Sequence, residues 1–337
     1  MNLLLVVSLP LAGAALTAWV SRFGRMRPAW TAGGITLLAL AFLLPSAAAP
    51  FRGETVVQQW SWIPEAGLGL AFRLDGLGLL FALMILGIGV LVILYARYYL
   101  SERDSLGRFY AYLLLFMGSM LGIVLSENLI LLAIFWEMTS LSSFLLISYW
   151  GEREDARSGA RMALTITGLG GLALLGGFLL LGEIAGSYEL SVVLASGEQI
   201  RAHPLYTPTL ALILLGAFTK SAQFPFHFWL PHAMAAPTPV SAYLHSATLV
   251  KAGIFLLARL FPVLSGTAEW SWLVIGAGAS TLLIGAWFAL FKHDLKGLLA
   301  YSTISHLGLI TLLFGIATPL AAVAGVFHII NHATFKA

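Results

Sequence analysis

The sequence predicts an all-α, polytopic membrane protein of about eleven transmembrane helices with a broken seventh helix, and its composition and its pattern of charge-free stretches support this. Of the 337 residues, 59% are hydrophobic and only 10% are charged, whereas soluble globular domains carry about 25% charged residues. Long stretches without Asp, Glu, Lys or Arg recur along the chain, and about 20 apolar residues are needed to cross about 30 Å of hydrocarbon. The net charge of +3 is small and scattered, which argues against nucleic-acid binding.

The charge-free stretches place these spans in order along the chain. The first span has no basic flank before it and is too long for a signal peptide, so we interpret it as a retained membrane helix. A more polar, tryptophan-containing stretch at residues 52–75 separates the second and third spans. The predicted spans are 1–21, 28–51, 77–96, 109–126, 128–150, 162–182, two between 208 and 260, 270–291, 297–317, and one that starts near 319.

The distribution of basic residues predicts the orientation in the membrane. Alternate loops carry eleven basic residues in one set and four in the other, and basic residues are enriched in cytoplasmic loops. The first set is Arg22, Arg25, Arg27, Arg97, Arg103, Arg108, Arg153, Arg157, Arg161, Lys292 and Lys296. We therefore expect a multi-pass protein of the cytoplasmic membrane, embedded in the lipid bilayer, with its N-terminus outside.

Three ionisable residues lie deep within predicted spans. Glu137 is the tenth residue of a span of about 23, and Lys220 and Lys251 lie about thirteen and twelve residues into the seventh and eighth spans. An ionisable group at the bilayer centre costs roughly 2.5–3.5 kcal/mol on insertion scales, so such groups face a bundle interior or a wet cavity. Their chemistry favours a proton or ion relay; the alternative is a static ion pair that holds two helices together.

A proline interrupts the seventh span close to Lys220. Pro225 has no N–H and clashes with the carbonyl of Ser221, so this carbonyl needs another partner. A discontinuous helix beside a charge recurs in transporters, although a simple proline kink is the alternative. We therefore predict a helix break at Pro225.

Histidines extend this row of polar groups. His245 precedes Lys251 by six residues, and His306 lies in the tenth span. In the last span, His328, His332 and Lys336 are spaced four apart, which places them on one face of a helix. Neutral imidazoles relay protons readily, although each ring could instead bond a neighbouring carbonyl. The His328–His332 spacing also suits zinc, but no glutamate follows His328 and no third ligand is evident, so we predict no metal.

Four tracts resemble a known family: 128–143 (NLILLAIFWEMTSLSS), 218–253 (FTKSAQFPFHFWLPHAMAAPTPVSAYLHSATLVKAG), 294–306 (DLKGLLAYSTISH) and 328–337 (HIINHATFKA). They look like the antiporter-like subunits of respiratory complex I, membrane-bound hydrogenases and Mrp-type sodium/proton antiporters. Together with 75–89 (DGLGLLFALMILGIG), they are most similar to the N-terminal part of the large A subunit of Mrp antiporters.

This resemblance implies roles for the buried residues. In the family, the fifth-helix glutamate pairs with the lysine on the broken helix and gates proton movement, which are the roles of Glu137 and Lys220 here. His245, Lys251, His328, His332 and Lys336 match positions of the connecting polar axis. The implied function is exchange of Na⁺ for H⁺ by a complex that contains other membrane subunits. No cofactor is implied, and the chain has no cysteine to ligate an iron–sulfur cluster.

The resemblance also implies a division of the single membrane domain. N-terminal helices occupy 1–100, a first antiporter-like repeat 101–261, and the start of a second, inverted repeat 262–337. The family pattern continues beyond the fourth tract, so we expect the second repeat to be incomplete in this chain. Two other functions stay open: a proton-translocating subunit of a redox complex, whose redox groups would lie in its partners, and a non-transporting scaffold subunit.

Overall fold

The computed structural model describes residues 2–63 and 68–337, and in this part the chain is built almost entirely of helices. The helices are α1 Leu3–Val20, α2 Arg27–Leu43, α3 Ala48–Phe51, α4 Gly76–Tyr99, α5 Leu106–Leu125, α6 Leu129–Ile147, α7 Glu154–Ala185, α8 Leu190–Ala195, α9 Gly197–Ala202, α10 Tyr206–Lys220, α11 Trp229–Ala233, α12 Thr238–Ala242, α13 Lys251–Leu264, α14 Ala268–Leu290, α15 Leu295–Ile316 and α16 Pro319–Lys336. The two strands are β1 Val56–Ile63 and β2 Leu68–Leu74.

Nine helical segments of the described chain are long and apolar enough to cross a membrane, which supports the predicted polytopic architecture. Two of the eleven predicted spans are not among them. The seventh is represented by α10, whose 15 residues are fewer than a full crossing requires. The eleventh is represented by α16, which has 18 residues but carries two histidines and a lysine. The count of eleven therefore stays a prediction.

The predicted all-α fold class holds for most of the described chain, but it omits a hairpin in the polar stretch before α4. Strands β1 and β2 form an antiparallel hairpin in which Val56 pairs with Leu74. Valine and tryptophan in this stretch favour a pleated strand over a helix, and a hydropathy reading of spans does not detect so short an element. Phe72 also forms a bridge with Ser126, so the hairpin is attached to the loop between α5 and α6.

The eighth span is also less regular than predicted. It begins as α12 and continues as a single π-helical turn at Tyr243–Ala247, and α13 begins only at Lys251. The N–H of Val250 bonds the carbonyl of Leu244, six residues earlier. Such π turns occur frequently at functional sites. The sequence predicts that His245 and Lys251 lie on one continuous helix. No proline or glycine between these two residues indicates the π turn or the late start of α13.

Helix packing places the ionisable residues on a connected series of helices. Helix α5 is one of the two most buried candidate spans, together with Thr238–Leu264, and packs against α1, α4 and α6. Helix α7 lies against both α6 and α10, α10 packs against α13, and α16 packs against α13 and α15. Glu137, Lys220, Lys251 and His332 lie on α6, α10, α13 and α16, respectively. These four helices are therefore linked in this order: α7 contacts both α6 and α10, and the other neighbours touch directly.

Candidate functional site: a row of buried ionisable side chains

Glu137 lies on α6 with its carboxylate against α7. The side chain of Asn128 accepts hydrogen bonds from the N–H groups of Ile130 and Leu131, at 2.9 and 3.2 Å, and so begins this helix. One carboxylate oxygen of Glu137, Oε1, is buried and has no hydrogen-bond partner in the described chain. The same oxygen would lie 1.6 Å from a Cβ atom built on Gly171. The glycine therefore creates the space that this carboxylate occupies.

Lys220 is the last residue of α10 and is completely buried. Its Nζ donates to the hydroxyl of Ser140 at 2.7 Å and to the carbonyl of Trp136 at 3.1 Å, and both acceptors lie on α6. The ammonium also lies 5.2 Å from the ring centroid of Trp136. Glu137 is the next residue after Trp136 and interacts electrostatically with Lys220. No ion pair within 4.0 Å joins Glu137 to Lys220 or to another described residue.

The main chain after Lys220 leaves the helical path, and side chains bond the carbonyls that the break releases. The sequence places the break at Pro225, but α10 already ends five residues earlier. The carbonyl of Ser221, which the sequence predicts to need a new partner, accepts from Gln223 Nε2 at 3.0 Å. The carbonyl of Thr219 accepts from Trp229 Nε1 at 2.9 Å. Irregular backbone at membrane depth is tolerated where it is buried in protein in this way.

Lys251 is the first residue of α13 and is also completely buried. Its Nζ donates to the carbonyl of Ser246, which the π turn makes available. One hydrogen-bonded side chain connects this region with the break after α10. The hydroxyl of Ser221 donates to the carbonyl of Val250 at 2.6 Å and accepts from the N–H of Ile254 at 3.1 Å.

His245 is buried in the π turn, and neither of its ring nitrogens has a hydrogen-bond partner in the described chain. It lines a cavity of about 170 Å³ together with Lys296 and Lys336, which provides room for several water molecules. Lys296 also lines an open surface cleft beside Arg153 and Asp155. Its Nζ donates to the carbonyls of Met234 and Ala236, at 2.8 and 2.7 Å.

Lys296 is a residue that the sequence reasoning assigned only to a basic loop. The structure places it between the surface cleft and the cavity that reaches His245. Lys296 belongs to the third family-like tract, at 294–306, which could have drawn attention to it. Its position in the sequence alone does not indicate that it lines a cavity.

The histidines of α15 and α16 come together, a contact that the four-residue spacing on the last helix did not predict. His306 Nδ1 lies 2.9 Å from His328 Nε2, with the rings stacked. The ring centroids of His306 and His332 are 5.3 Å apart. His332 is fully buried, and neither of its ring nitrogens has a hydrogen-bond partner in the described chain. Lys251 is close enough to act electrostatically on His332. Lys336 donates to the carbonyl of Leu299 at 3.2 Å.

The arrangement can pass protons but offers no evident metal centre. Glu137 and Lys220 form one group, and Lys251 lies near the histidine cluster of α15 and α16. His245 faces the cavity and makes no hydrogen bond to any of them. In residues 2–63 and 68–337, no group of three or more His, Cys, Asp or Glu side chains has the geometry to hold a metal ion.

A second cluster of charges, which the sequence reasoning missed, lies where the hairpin meets α4, α6 and α13. This hairpin ionic cluster consists of Arg73, Asp75, Glu127 and Arg259. Asp75 caps α4 by accepting from the N–H of Gly78 at 2.9 Å, and it bonds Arg259 and Arg73. Arg73 also reaches Glu127 at 3.4 Å. Glu127 and Arg259 join Arg73 and Asp75 from distant segments of the chain, so no local pattern reveals the cluster.

Two opposing effects act on the pKa of Asp75, which lies just before α4. Burial alone would raise it, but hydrogen bonds and charge from Arg259, together with the N–H of Gly78 and the side chain of Arg73, outweigh burial. The pKa of Asp75 is therefore held well below its ordinary value. The carboxylate is charged at any physiological pH and fixes the start of α4 against α13.

Family models match most of the chain. Residues 126–337 match the family described as "NADH:quinone oxidoreductase/Mrp antiporter, TM". Residues 60–110 match the family described as "NADH-Ubiquinone oxidoreductase (complex I), chain 5 N-terminus". The first match includes all the ionisable residues of the buried row.

Several curated relatives are similar over nearly the whole chain. The A/B subunit of a probable K⁺/H⁺ antiporter from Rhizobium meliloti is 60% identical over 98% of this chain and 33% of the relative. The A subunit of a Na⁺/H⁺ antiporter from Alkalihalophilus pseudofirmus is 50% identical over 93% of this chain and 41% of the relative. The chain thus spans about a third to two fifths of the length of these relatives.

Solved structures share the fold. The Mrp complex from Dietzia sp. DQ12-45-1b contains a chain that matches with a TM-score of 0.93 and 38% identity, over 100% of this chain and 36% of that one. The membrane-bound sulfane sulfur reductase, an archaeal respiratory membrane complex, matches with a TM-score of 0.86 and 25% identity, over 99% of this chain and 69% of that one.

Proposed function

Since this chain belongs to the family of NADH:quinone oxidoreductase and Mrp antiporter membrane subunits, we propose that it forms part of a multisubunit antiporter exchanging Na⁺ for H⁺. It corresponds to the N-terminal part of the large A subunit in the Na⁺/H⁺ antiporters that it matches. Protons move through the buried row of Glu137, Lys220, Lys251 and the α15–α16 histidines. Other membrane subunits complete the complex.

One observation supports this proposal above the others: buried ionisable groups stand at two adjacent helix breaks that share a hydrogen-bonded link. Lys220 ends α10 and Lys251 begins α13, and Ser221 bonds the main chain of both regions. Both lysines bond oxygens and are not held in close ion pairs with a carboxylate. Such lysines can exchange a proton without breaking a salt bridge, which a purely structural ion pair could not do.

The route from one surface to this row runs past Lys296. The cleft beside Arg153 and Asp155 and the cavity beside His245 share this lysine. We propose that hydrated protons enter here, since the cavity is large enough for water and includes His245, Lys296 and Lys336 in its lining. His306, His328 and Lys336 then extend the row along α15 and α16, where the family axis continues into further helices.

The cation is tested directly in everted membrane vesicles. The protein is expressed with its companion subunits in a host without its own antiporters, and a respiration-driven pH gradient is monitored by a fluorescent dye. We expect Na⁺ to dissipate the gradient. Because the Rhizobium meliloti relative is named for K⁺, K⁺ is added in parallel. A gradient that neither cation dissipates would refute the antiport proposal.

A second candidate function rests on the similarity to the sulfane sulfur reductase complex, which is a respiratory assembly. In that case the same buried row would move protons in response to electron transfer in partner subunits. The purified native assembly separates the two possibilities. Flavin or iron–sulfur absorbance that copurifies with the complex, together with proton transport driven by an electron donor, would favour the redox assignment over antiport.

The membrane orientation belongs to the same proposal, with the N-terminus outside the cytoplasmic membrane. The chain contains no cysteine, so single cysteines report accessibility cleanly. In intact cells, Asn2→Cys should react with a membrane-impermeant maleimide, whereas His293→Cys should react only after the membrane is opened. The reverse pattern would invert the topology.

A further inference from the structure

The groove between α2 and α4 is separate from the buried row and has an unusual polar group at one end. Its volume is about 300 Å³, and its lining is apolar except for the guanidinium of Arg97 and the amphipathic ring of Trp30. Gly33 and Gly34 of α2 form part of its floor, and a Cβ built on Gly34 would meet nothing within 4 Å. The groove is therefore open space on the helix surface.

Arg97 lacks the hydrogen bonds to main-chain carbonyls that two other arginines make near the same end of the helices. Arg108 donates to the carbonyl of Tyr149 at 3.0 Å, and Arg157 donates to the carbonyl of Gly151 at 2.8 Å. Arg97 makes no hydrogen bond or ion pair in the part of the chain that the structure describes, and its Nε is buried without a partner. Its guanidinium instead lies 4.5 Å from the ring centroid of Trp30 and 5.3 Å from that of Tyr98.

The groove has the dimensions and polarity of a lipid site. Arg97 lies near the end of α4 and Trp30 near the start of α2, where the membrane–water interface falls for helices of this length. From there the lining continues to Val90 on α4 and Leu37 on α2, about 10–12 Å along the helix axes at 1.5 Å per residue. The cationic end is thus at headgroup level and the apolar part lies in the hydrocarbon.

We propose that this groove binds one anionic phospholipid, with its phosphate on Arg97 and an acyl chain along Gly33 and Gly34. The terminal N–H donors of the Arg97 guanidinium, which bond no described residue, match phosphate oxygens, which guanidinium groups bind in a bidentate manner. The N-terminus of α2, with Arg27 as its first residue, adds positive potential at the same end. A neutral apolar helix of a partner would leave these donors without acceptors, so charge complementarity favours the lipid.

The test measures lipid affinity of the full-length protein in its assembled complex. Native mass spectrometry in detergent follows titration with phosphatidylglycerol or with phosphatidylcholine of the same chain length. We expect one site with about fivefold tighter binding of phosphatidylglycerol, the effect of one basic residue near an anionic headgroup. Arg97→Gln should abolish this preference, and Arg97→Lys should retain much of it.

A second variant tests the acyl part of the groove without changing charge. Gly34→Leu fills the open space, and we expect it to release the bound lipid of either headgroup. Gly276→Leu, on the exposed face of α14 where a Cβ also meets nothing within 4 Å, should leave lipid binding unchanged. Equal affinity of the wild type for both lipids, or retention of the lipid in Gly34→Leu, would overturn the proposal. Efficient cross-linking of Gly34→Cys to a neighbouring subunit would likewise assign the groove to a protein partner.

Discussion

The hydroxyl of Ser221 donates a 2.6 Å hydrogen bond to the carbonyl of Val250, and each of these residues is the chain neighbour of a buried lysine. Ser221 follows Lys220 at the end of α10, and Val250 precedes Lys251 at the start of α13. A helix C-terminus carries partial negative charge and an N-terminus partial positive charge. The two ammonium groups therefore lie in opposite helix-end fields.

Ser221→Ala is expected to disturb this link. The substitution leaves the carbonyl of Val250 and the N–H of Ile254 without their side-chain partner, and a buried unsatisfied group costs about 1–3 kcal/mol. Proton flux in vesicles should fall, and the thermal unfolding midpoint of the assembled complex should decrease. Thr31→Ala, which removes an exposed hydroxyl bonded within its own helix, should change neither measurement. Unchanged flux in Ser221→Ala would show that the link has no part in transport.

Glu137 and Lys220 are expected to act as one unit. Both are desolvated, and each acts electrostatically on the other. Glu137→Ala and Lys220→Ala should each reduce cation-dependent proton flux to less than about a tenth of wild type, as expected for loss of a group that carries the proton. Lys220→Arg should also impair flux, because arginine keeps its positive charge and does not release its proton.

Assembly must be measured alongside flux for these three variants, by the amount of complex recovered from the membrane. Glu152→Ala, which removes an exposed loop carboxylate, is the matched control and should transport normally. Normal flux in an assembled Glu137→Ala or Lys220→Ala variant would contradict the assignment of these residues to the proton pathway.

Much of the fold was predictable because hydropathy determines membrane spans, and the same scale identified Glu137, Lys220 and Lys251 as exceptions. The hairpin at Val56–Ile63 and Leu68–Leu74 was missed because its strands are short and only partly apolar. The eleven-span count and the division into repeats stay predictions.

The sequence could name the residues of the candidate site, whose roles stay predictions, but it could not show the contacts between them. Spacing placed His328, His332 and Lys336 on one face, but it could not bring His306 to 2.9 Å from His328. The role of Ser221 and the cluster of Asp75 with Arg259 depend on contacts between distant segments. Residue type and local period contain no information about such contacts, so only the three-dimensional arrangement reveals them.

Gly171→Ala is expected to impair transport by displacing the carboxylate of Glu137. The added Cβ would lie 1.6 Å from Oε1 and 2.8 Å from Cδ of that glutamate, so the side chain must move. Proton flux should fall at least about tenfold, since proton transfer depends on hydrogen-bond distances. Gly168→Ala on the same helix meets nothing within 4 Å and should keep normal flux. Normal flux in Gly171→Ala would mean that the observed carboxylate position is not required.

The Asp75–Arg259 pair should make stability dependent on pH only in acid. The folded-state pKa of Asp75 lies below its ordinary value, and the unfolded value is about 3.9. A depressed pKa stabilises the fold above the unfolded pKa, and this contribution is lost as the pH falls through the folded value. The difference in unfolding midpoint between wild type and Asp75→Asn should therefore be constant from pH 7 to about pH 5 and shrink below about pH 4.

Asp75→Asn keeps a good helix cap and removes only the charge, so the loss above pH 5 measures the pairing with Arg259 and Arg73 together. Breaking a buried pair by removing one partner costs about 3 kcal/mol or more. Glu54→Gln, which breaks the exposed pair with Arg52, should leave the unfolding midpoint nearly unchanged, because water screens exposed ion pairs. A constant difference between wild type and Asp75→Asn down to pH 3 would contradict this account.

His306 and His328 are expected to behave as a single proton-sharing pair. Their facing nitrogens are 2.9 Å apart, so one nitrogen carries a hydrogen and the other accepts it, and both cannot be protonated at once. If the pair passes a proton as a unit, His306→Ala and His328→Ala should each reduce proton flux. The double variant should then lose no more flux than the more impaired of the two single variants. Residues that act together are non-additive in this way, whereas distant ones add. His293→Ala, in the exposed loop before α15, combined with His306→Ala supplies the additive control. Flux losses that multiply in the His306/His328 double variant would show that the two rings serve separate steps.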